Sequence, residues 1–409
     1  MATPILSKDI RIRIRMYHVG FGDCFLVRLP GEKKTWSILI DCGVHVRGDL
    51  KIMGKVVDNI ASETGGVLDL IVATHAHQDH ISGFGSEAAK FRQMKVAEVW
   101  LPWTEDPDDT VAAGLKKKQL ALVDQLQHHF QALGAAGAAH EAAQHALANM
   151  AGNAPALDLL KKQLKAKVSY LAAADEAIEN AAGIPGLRVK VLGPPKDQKF
   201  LARMDPPSDQ SYLRMNAGSM MRVNGIAPFH NRWEFDYQHP PLSAADLDYF
   251  EDLANEAARN TAFTLDQGIN NTSLVLLLQF GGRSLLFPGD AQYGNWQSWI
   301  GKHEAEETLE SVHFLKVAHH GSENATPKGA LERMPDGQFA AMISTQSTPW
   351  PSIPYGNLMD ALNRKTHKQV VRSDQALDAA APLPGGFTKG DFWVDYTLQL
   401  GKTLAATPK

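Results

Sequence analysis

Apolar and polar residues alternate at the start of the chain. Over residues 10–15 isoleucine and arginine take turns, a period of two that predicts a β-strand with one buried and one wet face. Glycine turns separate this strand from predicted strands at 24–29 and 36–40, so the chain opens as an antiparallel meander. A helix is predicted over much of 50–62, because a pair of glycines follows it.

Short apolar runs recur along the rest of the chain, bounded by turn residues and separated by helical stretches. This order of strands and helices predicts an α/β fold. The runs that we interpret as strands are residues 68–73, 96–101, 187–192, 273–279, 283–287, 312–318, 340–344, 370–373 and 392–400.

Two segments interrupt this alternation. From 107 to 182, alanine, leucine, glutamine and lysine dominate with helical spacing, which predicts a helical insertion. From 196 to 265 the polarity is mixed and periodicity is weak, and such a length favours a functional lid or wall over a plain connection. We therefore expect a single domain over 1–409 that contains one helical and one loop-rich insertion.

The composition narrows the class of protein. The 409 residues are 44% hydrophobic and 21% charged, as in a globular protein with a substantial core. A formal net charge of −4 argues against a global basic field for nucleic acid, although a local basic rim would suffice. Cys24 and Cys42 are expected to be buried thiols, which fits a reducing compartment. Since we see neither an apolar leader nor a run long enough to cross a bilayer, we expect a cytoplasmic protein without membrane contact.

The stretch that follows the apolar run at 68–73 is rich in metal-ligand residue types. Three imidazoles and one carboxylate fall within six residues there, at His75, His77, Asp79 and His80. Neutral imidazole and carboxylate are ligands that suit zinc and similar divalent ions. Strand-like backbone alternates with period two, so His75 and His77 are expected to point the same way at the strand's end. Asp79 and His80 follow where the chain turns, in a position to face a second ion.

Metal-type residues also end later strands. Asp290 follows the strand at 283–287, and His319 with His320 follows the strand at 312–318. Strand ends on one edge of a sheet converge, so residues distant in sequence are expected to meet there. Asp41 ends a strand in the same way and could fix a histidine ring through its free N–H, with capping of its own turn as an equal alternative.

The order of these groups resembles the metallo-β-lactamase fold superfamily. The elements that carry the resemblance are His-x-His-x-Asp-His at 75–80, Gly-Asp at 289–290 and His-Gly at 320–321, within residues 10–375. The resemblance implies an α/β fold of the four-layer αββα sandwich type, with a two-metal site along one edge.

Further segments look like one branch of that superfamily, the competence-type (DNA-uptake) metallohydrolases. They are His-Val-Gly-Phe-Gly-Asp at 18–23, Ser-Ile-Leu-Ile-Asp-Cys-Gly at 37–43, Asn-Asn-Thr-Ser-Leu-Val at 270–275 and Leu-Lys-Val-Ala-His-His-Gly-Ser at 315–322. Similarity to this branch favours a phosphodiester substrate.

The resemblance implies a role for each residue of the first motif. His75 and His77 would bind the first ion, Asp79 and His80 would bind the second, and Asp290 would bridge both. Asp79 would also orient the attacking hydroxide. The expected cofactors are two divalent metal ions, with Zn²⁺ favoured and Mn²⁺ as the alternative.

The pair His319-His320 supplies the last ligand in this scheme. Related sequences place that ligand just before a glycine, which makes His320 the metal-binding residue here. His319 would then contact substrate or protonate a leaving group. The reverse assignment stays open.

Three positions depart from the pattern of the family. Asn270 and Asn271 stand where many members have another histidine for the first ion, so its shell is incomplete or takes a ligand from an insertion. His230 is one such donor, although a loop histidine without metal is the more frequent case. His18 stands where the branch usually has an aspartate, and Tyr355 stands near the place of a His-Pro pair. The residues expected around the ions or the substrate are Asp41, Asn270, Asn271, Ser322 and Tyr355.

These features predict a metal-dependent hydrolase that uses a hydroxide shared by two ions. Two cations a few ångströms apart lower the pKa of a common water to roughly 7, which makes hydroxide available at neutral pH. No serine or cysteine nucleophile motif and no glycine-rich phosphate loop competes with this chemistry. A phosphodiesterase or nuclease is favoured, and hydrolysis of a thioester, lactam or lactone is the first alternative. The second alternative is a metal-stabilised interaction module that binds a protein partner through the helical insertion.

A nuclease would need a basic rim beside the metal edge. Arginines in the loop-rich insertion could contact phosphates while aromatic rings stack on bases, with ordinary lid packing as an even alternative. The residues concerned are Arg203, Arg214, Arg222, Arg232, Tyr212 and Trp233. The histidines of the helical insertion are interpreted as solvated or packing residues, and they are His128, His129, His140 and His145.

Overall fold

A computed structural model describes residues 11–45, 51–133, 138–150, 153–207, 209–211, 244–347, 350–377 and 382–401. Within these ranges the chain forms two β-sheets whose inner faces share one hydrophobic core, and helices cover both outer faces. The predicted αββα sandwich is therefore confirmed.

The strands follow the chain in alternation with helices. In order they are β1 (Arg11–Tyr17), β2 (Cys24–Leu29), β3 (Trp36–Cys42), β4 (Val67–Val72), β5 (Lys95–Pro102), β6 (Lys167–Leu171), β7 (Ile178–Glu179), β8 (Arg188–Gly193), β9 (Val275–Phe280), β10 (Arg283–Phe287), β11 (Val312–Lys316), β12 (Ala340–Ile343), β13 (Val370–Arg372), β14 (Phe387–Lys389) and β15 (Trp393–Gln399). The first sheet has the order β14-β15-β1-β2-β3-β4-β5-β6, and the second has the order β13-β12-β11-β10-β9-β8-β7.

The helices range from single turns to a helix of 27 residues. In order they are α1 (Met53–Thr64), α2 (Gln78–Ser86), α3 (Ala88–Phe91), α4 (Thr110–Leu133), α5 (Ala138–Met150), α6 (Ala154–Asp158), α7 (Gln198–Leu201), α8 (Ala244–Asn270), α9 (Tyr293–Ile300), α10 (Ala305–Glu310), α11 (Lys328–Arg333), α12 (Gly356–Lys365) and α13 (Ser373–Ala376). In the part of the chain that the structure describes, no helix combines the length and apolar character that crossing a bilayer requires.

The period-two pattern of the strands places their residues on the two faces of each sheet. In β9 and its lead-in, Leu274, Leu276 and Leu278 point into the core between the sheets. Their neighbours Val275 and Leu277 pack under the outer helices of the second sheet. Because both faces of this strand are covered, the run is apolar throughout and shows no polar alternation.

Parallel pairing brings several strand ends to one edge of the sandwich. In the first sheet β3 pairs in parallel with β4, and in the second sheet β10, β11 and β12 pair in parallel. The carboxyl ends of parallel strands lie at the same edge of a sheet, so the segments that follow β3, β4, β10, β11 and β12 are neighbours in space.

The helical insertion is shorter than the sequence pattern indicated. Helices α4, α5 and α6 are followed by a π-helical turn that ends at Gln163. The prediction of helix through 182 is wrong, because β6 pairs in parallel with β5 and extends the first sheet by one strand. This strand, with its tyrosine and valine, lies between lysine- and alanine-rich flanks, which obscured its short apolar pattern.

The second insertion was predicted to be loop-rich over 196–265, and this is wrong at its end. Residues from Ala244 form α8, which continues to Asn270. Its sequence contains six alanines and three leucines, which are strong helix formers. Residues 208 and 212–243 lie outside the described part of the chain.

Candidate metal centre

The histidines and aspartates that follow the strand ends form one buried cluster. Single ligand atoms of Asp79, His80, Asp290 and His320 all lie within 4.8 Å of one another, and so do those of His75, His77 and Asp79. The six side chains are each at most 3% exposed. Two overlapping sets that share Asp79 are what two neighbouring ions would require.

The set of His75, His77 and Asp79 lies in the segment after β4 and the first turn of α2. Nε2 of His75 and Nδ1 of His77 are 3.1 Å apart. Two ligand atoms that bind one ion at about 2.0–2.1 Å in tetrahedral geometry are separated by roughly 3.4 Å. These two nitrogens therefore have the spacing of atoms that share one ion.

The second set joins the two sheets. Nε2 of His80 lies 3.0 Å from Oδ2 of Asp290. Nε2 of His320 lies 3.2 Å from Oδ2 of Asp79 and 3.4 Å from Oδ2 of Asp290. The Oδ2 atom of Asp290 thus faces both histidines, so the three side chains are placed to bind one ion together.

Asp41, near the end of β3, hydrogen-bonds two residues of the segment from Thr74 to His80. Its Oδ1 accepts from the backbone N–H of Thr74, and its Oδ2 accepts from the Thr74 hydroxyl, each at 2.7 Å. Oδ2 also lies 2.8 Å from Nδ1 of His80. This contact turns the other ring nitrogen, Nε2, toward the cluster. A carboxylate that orients a metal-binding histidine ring has this arrangement.

A buried lysine crosses behind Asp290. Nζ of Lys316, at the end of β11, donates to the carbonyl of Gly289 at 2.9 Å and lies 3.1 Å from Oδ1 of Asp290. It also forms an ion pair with Asp23. Because Lys316 occupies Oδ1, Oδ2 of Asp290 is the oxygen left for a metal ion.

Unusual backbone geometry brings these segments together. A Cβ atom on Gly43 would stand 2.4 Å from the backbone nitrogen of His80, so only glycine lets the β3 end pass beneath the motif. His319 and His320 have φ angles of 45° and 54°, a left-handed conformation that costs free energy in residues with a side chain. Strain of this kind at a strand end is typical of functional sites.

Two of the histidines are disposed to be neutral. Burial lowers the pKa of His75 well below its usual value and lowers the pKa of His77 to about 4. A metal ligand must be the neutral imidazole, so both rings are in the state that binds an ion.

The other two histidines are disposed to be protonated when no ion is bound. Burial acts to lower the pKa of His80, but the charges of Asp290, Asp41 and Asp79 outweigh it and raise that pKa well above its usual value. Burial acts on His320 in the same direction, and its contacts with Asp290 and Asp79 raise its pKa to about 10. These protons balance carboxylates that a divalent cation would otherwise balance.

The cluster also contains buried polar atoms with no hydrogen-bond partner. Among the described residues they include Nε2 of His77 and Oδ1 of Asp79. A buried polar atom without a partner costs roughly 1–3 kcal/mol, so native proteins rarely keep several together. Imidazole and carboxylate donors with unfilled positions fit a divalent metal ion.

His319 lies beside the cluster rather than within it. Its Nε2 is 4.0 Å from Oδ2 of Asp290, and its side chain is 20% exposed. Asn270, at the end of α8, places Nδ2 at 3.3 Å from the same nitrogen. The geometry therefore favours His320 as the ligand and places His319 at the edge of the cluster, beside the buried Asn270.

Other predicted residues lie farther from the ligands. Asn271 is turned away from the cluster, since its amide contacts the carbonyls of Leu201 and Arg203 and the backbone N–H of Gln292. The hydroxyl of Ser322 donates to Asn324. Tyr355 precedes α12, and its hydroxyl accepts from Asn357. Local turns and helix starts take up the polar groups of these three residues, and their expected place around the ions or the substrate stays a prediction.

The predicted basic rim is largely outside the described residues. Arg203 packs over Tyr293 and donates to Gln297 on α9, where its side chain is exposed. His128 is exposed on α4, as expected for a solvated residue. The residues whose side chains are not described are His140, His145, Tyr212, Arg214, Arg222, His230, Arg232 and Trp233.

Sequence reasoning missed three polar residues at the centre. Asp23 and Lys316 lie in the segments that carried the family resemblance, and a charged residue inside an apolar strand was a usable signal for Lys316. Asp266 of α8 was not considered, yet its Oδ1 lies 3.4 Å from Nε2 of His77. Its place depends on how a distant helix packs, so no local pattern reveals it.

A comparison with protein families agrees with this arrangement. Residues 18–137 match the metallo-beta-lactamase superfamily. The matched range includes β2 to β5 and the whole His75–His80 motif, but it begins after β1 and ends before Asp290 and His320. The two sheets with their outer helices have the architecture of a metallo-beta-lactamase sandwich. We found no match among curated proteins.

The match supports a coarse assignment of chemistry. The metallo-beta-lactamase superfamily consists mostly of hydrolases that bind divalent metals, and this chain has histidine and aspartate groups that could hold such ions. A metal-dependent hydrolase is therefore supported. The competence-type branch and the identity of the ions stay predictions.

Proposed function

We propose that the protein is a binuclear metal-dependent hydrolase, with a phosphodiester as its substrate class. The observation that carries the proposal is the pair of overlapping ligand sets around Asp79, with atoms of His77 and Asp79 that have no hydrogen-bond partner among the described residues. When bound, two divalent cations would activate a water and polarise the scissile group.

The chain's own residues divide the work between holding the ions and meeting the substrate. His75 and His77 would hold the first ion. Asp79, His80 and His320 would hold the second, and Oδ2 of Asp290 would be shared. Lys316 keeps the other oxygen of Asp290 in an ion pair, so that the shared oxygen has a fixed direction.

His319 is the group that we assign to substrate contact. Burial lowers its pKa, so the ring is neutral near pH 7 and donates an N–H hydrogen bond. When Asn270 donates to Nε2 of this ring, the proton lies on Nδ1, which has no hydrogen-bond partner among the described residues. An N–H donor without a partner, next to bound divalent cations, would suit a substrate with anionic oxygens, such as a phosphodiester.

The substrate class also draws support from the sequence. The segment from Leu315 to Ser322 and the Asn270-Asn271 pair are similar to the competence-type branch. A thioester, lactam or lactone would use the same metal chemistry, so substrate choice must be tested directly.

The His77→Ala variant tests the assignment. We expect it to lose hydrolysis of bis(p-nitrophenyl) phosphate by more than about 100-fold, since losing a residue behind a ligand already costs roughly 10–100-fold. Its metal content should fall while its circular dichroism spectrum stays unchanged. His128→Ala, which removes an exposed histidine on α4, is the matched control and should retain activity.

Two results would contradict the proposal. Full activity of His77→Ala would remove the metal site from the mechanism. Turnover of nitrocefin or a thioester by the metal-loaded wild type, without turnover of the phosphodiester, would keep the metal chemistry and overturn the substrate class.

A further inference from the structure

Each histidine of the metal centre directs one ring nitrogen into the cluster. On the side of the first motif, Nε2 of His75 and Nδ1 of His77 approach each other. Across the centre, Nε2 of His80 and Nε2 of His320 approach the shared oxygen of Asp290. The opposite nitrogen of each ring therefore faces outward, and it must carry a proton when the inner nitrogen binds an ion.

Three of the four outer nitrogens meet partners from the sandwich itself. Nδ1 of His75 lies 3.2 Å from the hydroxyl of Ser273, which directly precedes Leu274 and β9. Nδ1 of His80 lies 2.8 Å from Asp41 at the end of β3. Nδ1 of His320 lies 2.8 Å from the carbonyl of Ser344, just after β12.

The fourth outer nitrogen, Nε2 of His77, faces a helix of the second insertion. The atom opposite it is Oδ1 of Asp266 on α8, at 3.4 Å. Neither atom has a hydrogen-bond partner among the described residues, and the Asp266 side chain is only 20% exposed. When an ion on Nδ1 places the ring proton on Nε2, this N–H would have Oδ1 of Asp266 as its acceptor.

The position of Asp266 is held by the helical insertion. Ala262 and Leu265 of α8 pack in one apolar cluster with Ala143 and Leu147 of α5.

Asn149, near the end of α5, hydrogen-bonds the Asp266 side chain. Its Oδ1 also accepts from the backbone N–H of Asp79 at 3.4 Å. Four residues on, Asn153 donates to the carbonyl of Ala76 at 2.7 Å. Asn149 and Asn153, at the end of α5 and just after it, therefore hydrogen-bond the backbone of the metal motif, and Asn149 also links it to α8.

We infer that Asp266 is a positioning residue of the metal centre, which accepts the Nε2–H of His77 and aims Nδ1 of that ring at the first ion. The inference rests on the metal centre of the proposed function. It adds that this centre is completed by α8, so the insertion supplies part of the first ion's support. A carboxylate behind a histidine ligand raises the ligand's basicity and fixes its tautomer.

The test compares Asp266→Ala with Glu256→Ala, which removes an exposed carboxylate from the same helix. Both variants are loaded with Zn²⁺ and titrated against a chromophoric chelator. We expect Asp266→Ala to weaken one of the two binding steps by about 10–100-fold and to leave the other unchanged. Glu256→Ala should match the wild type in both steps. Asp266→Asn keeps the shape of the side chain, and should weaken the same step by about tenfold if Asp266→Ala does not fold.

A second readout follows the His77 ring itself. In the zinc-loaded wild type, nitrogen-15 NMR of histidine side chains should show a protonated Nε2 for His77, hydrogen-bonded to a carboxylate. The chemical shift of that proton should change in Asp266→Asn and stay constant in Glu256→Ala. A merely structural role for Asp266 would leave this signal in place.

The outcomes separate this inference from the proposed function. Two zinc ions in the wild type, together with unchanged affinities and an unchanged His77 signal in the Asp266 variants, would overturn the inference alone. A wild type that binds no ion would overturn the proposed function and the inference with it.

Discussion

The protein buries two clusters of charged side chains, and they differ in how completely their charges are paired. Behind the first sheet, Arg15 makes a bidentate pair with Asp395 at 2.6 and 2.8 Å. Its remaining nitrogen donates to Asn59 and Glu63, and its guanidinium stacks 3.7 Å from the Trp393 ring. Each of the three side-chain nitrogens of this arginine has a protein partner.

The metal centre is the opposite case. It keeps buried atoms of His77 and Asp79 without a hydrogen-bond partner among the described residues. Its carboxylates are balanced partly by Lys316 and partly by protons on histidine rings. The charges of the first cluster are paired within the protein, whereas the second cluster has histidine and aspartate groups that could hold divalent cations.

Among the variants that test this contrast, Asp395→Ala is expected to lower the free energy of unfolding the most. This change leaves the buried Arg15 without its bidentate partner, and breaking a buried ion pair from one side costs about 3–5 kcal/mol of unfolding free energy. Urea denaturation followed by circular dichroism measures the loss. Metal content should stay at the wild-type value, because the Arg15 cluster has no part in binding ions.

The control for that experiment is Lys302→Ala. Lys302 pairs with Asp175 at 2.8 Å on the surface, where both side chains are exposed and solvent screens the attraction. We expect its denaturation midpoint to equal that of the wild type. A loss of metal from Asp395→Ala, in protein that remains folded, would contradict the separation of the two clusters.

The contrast also shows what the sequence could and could not predict. His75–His80, Asp290 and His320 were predictable because each follows a strand, and parallel strands end at one edge. The pairing of Arg15 with Asp395 joins residues 380 positions apart, on the neighbouring antiparallel strands β1 and β15. No local pattern indicates that contact.

The supporting helices were also hard to predict. The end of the second insertion was interpreted as irregular, and α8 brings Asp266 to the metal motif by packing on α5. The side of a helix that faces a site depends on tertiary contacts, which the periodicity of one segment does not contain.

A change of pH is expected to have a smaller effect, on the affinity of the cluster for metal ions. Because the pKa of His320 is raised to about 10 without metal, its ring is protonated at pH 7 and must lose that proton to bind an ion. Raising the pH removes this competition, so the affinity for the second ion should rise by up to about tenfold per pH unit for each proton displaced. Competition titrations at pH 7 and pH 8 measure this change.

The Arg15 cluster provides a control for the pH dependence of metal affinity. Its guanidinium stays charged over this range, so Asp395→Ala should show the same dependence of metal affinity on pH as the wild type. An affinity that is equal at pH 7 and pH 8 would mean that the histidines of the metal centre hold no protons for the ion to displace.

The central claim is that the strand-end cluster is a two-ion site. Its most direct test is elemental analysis of the wild-type protein, purified after growth in zinc- or manganese-replete medium and dialysed free of loose metal. We predict two ions per chain in the wild type. Fewer than one ion per chain under both conditions would contradict the account.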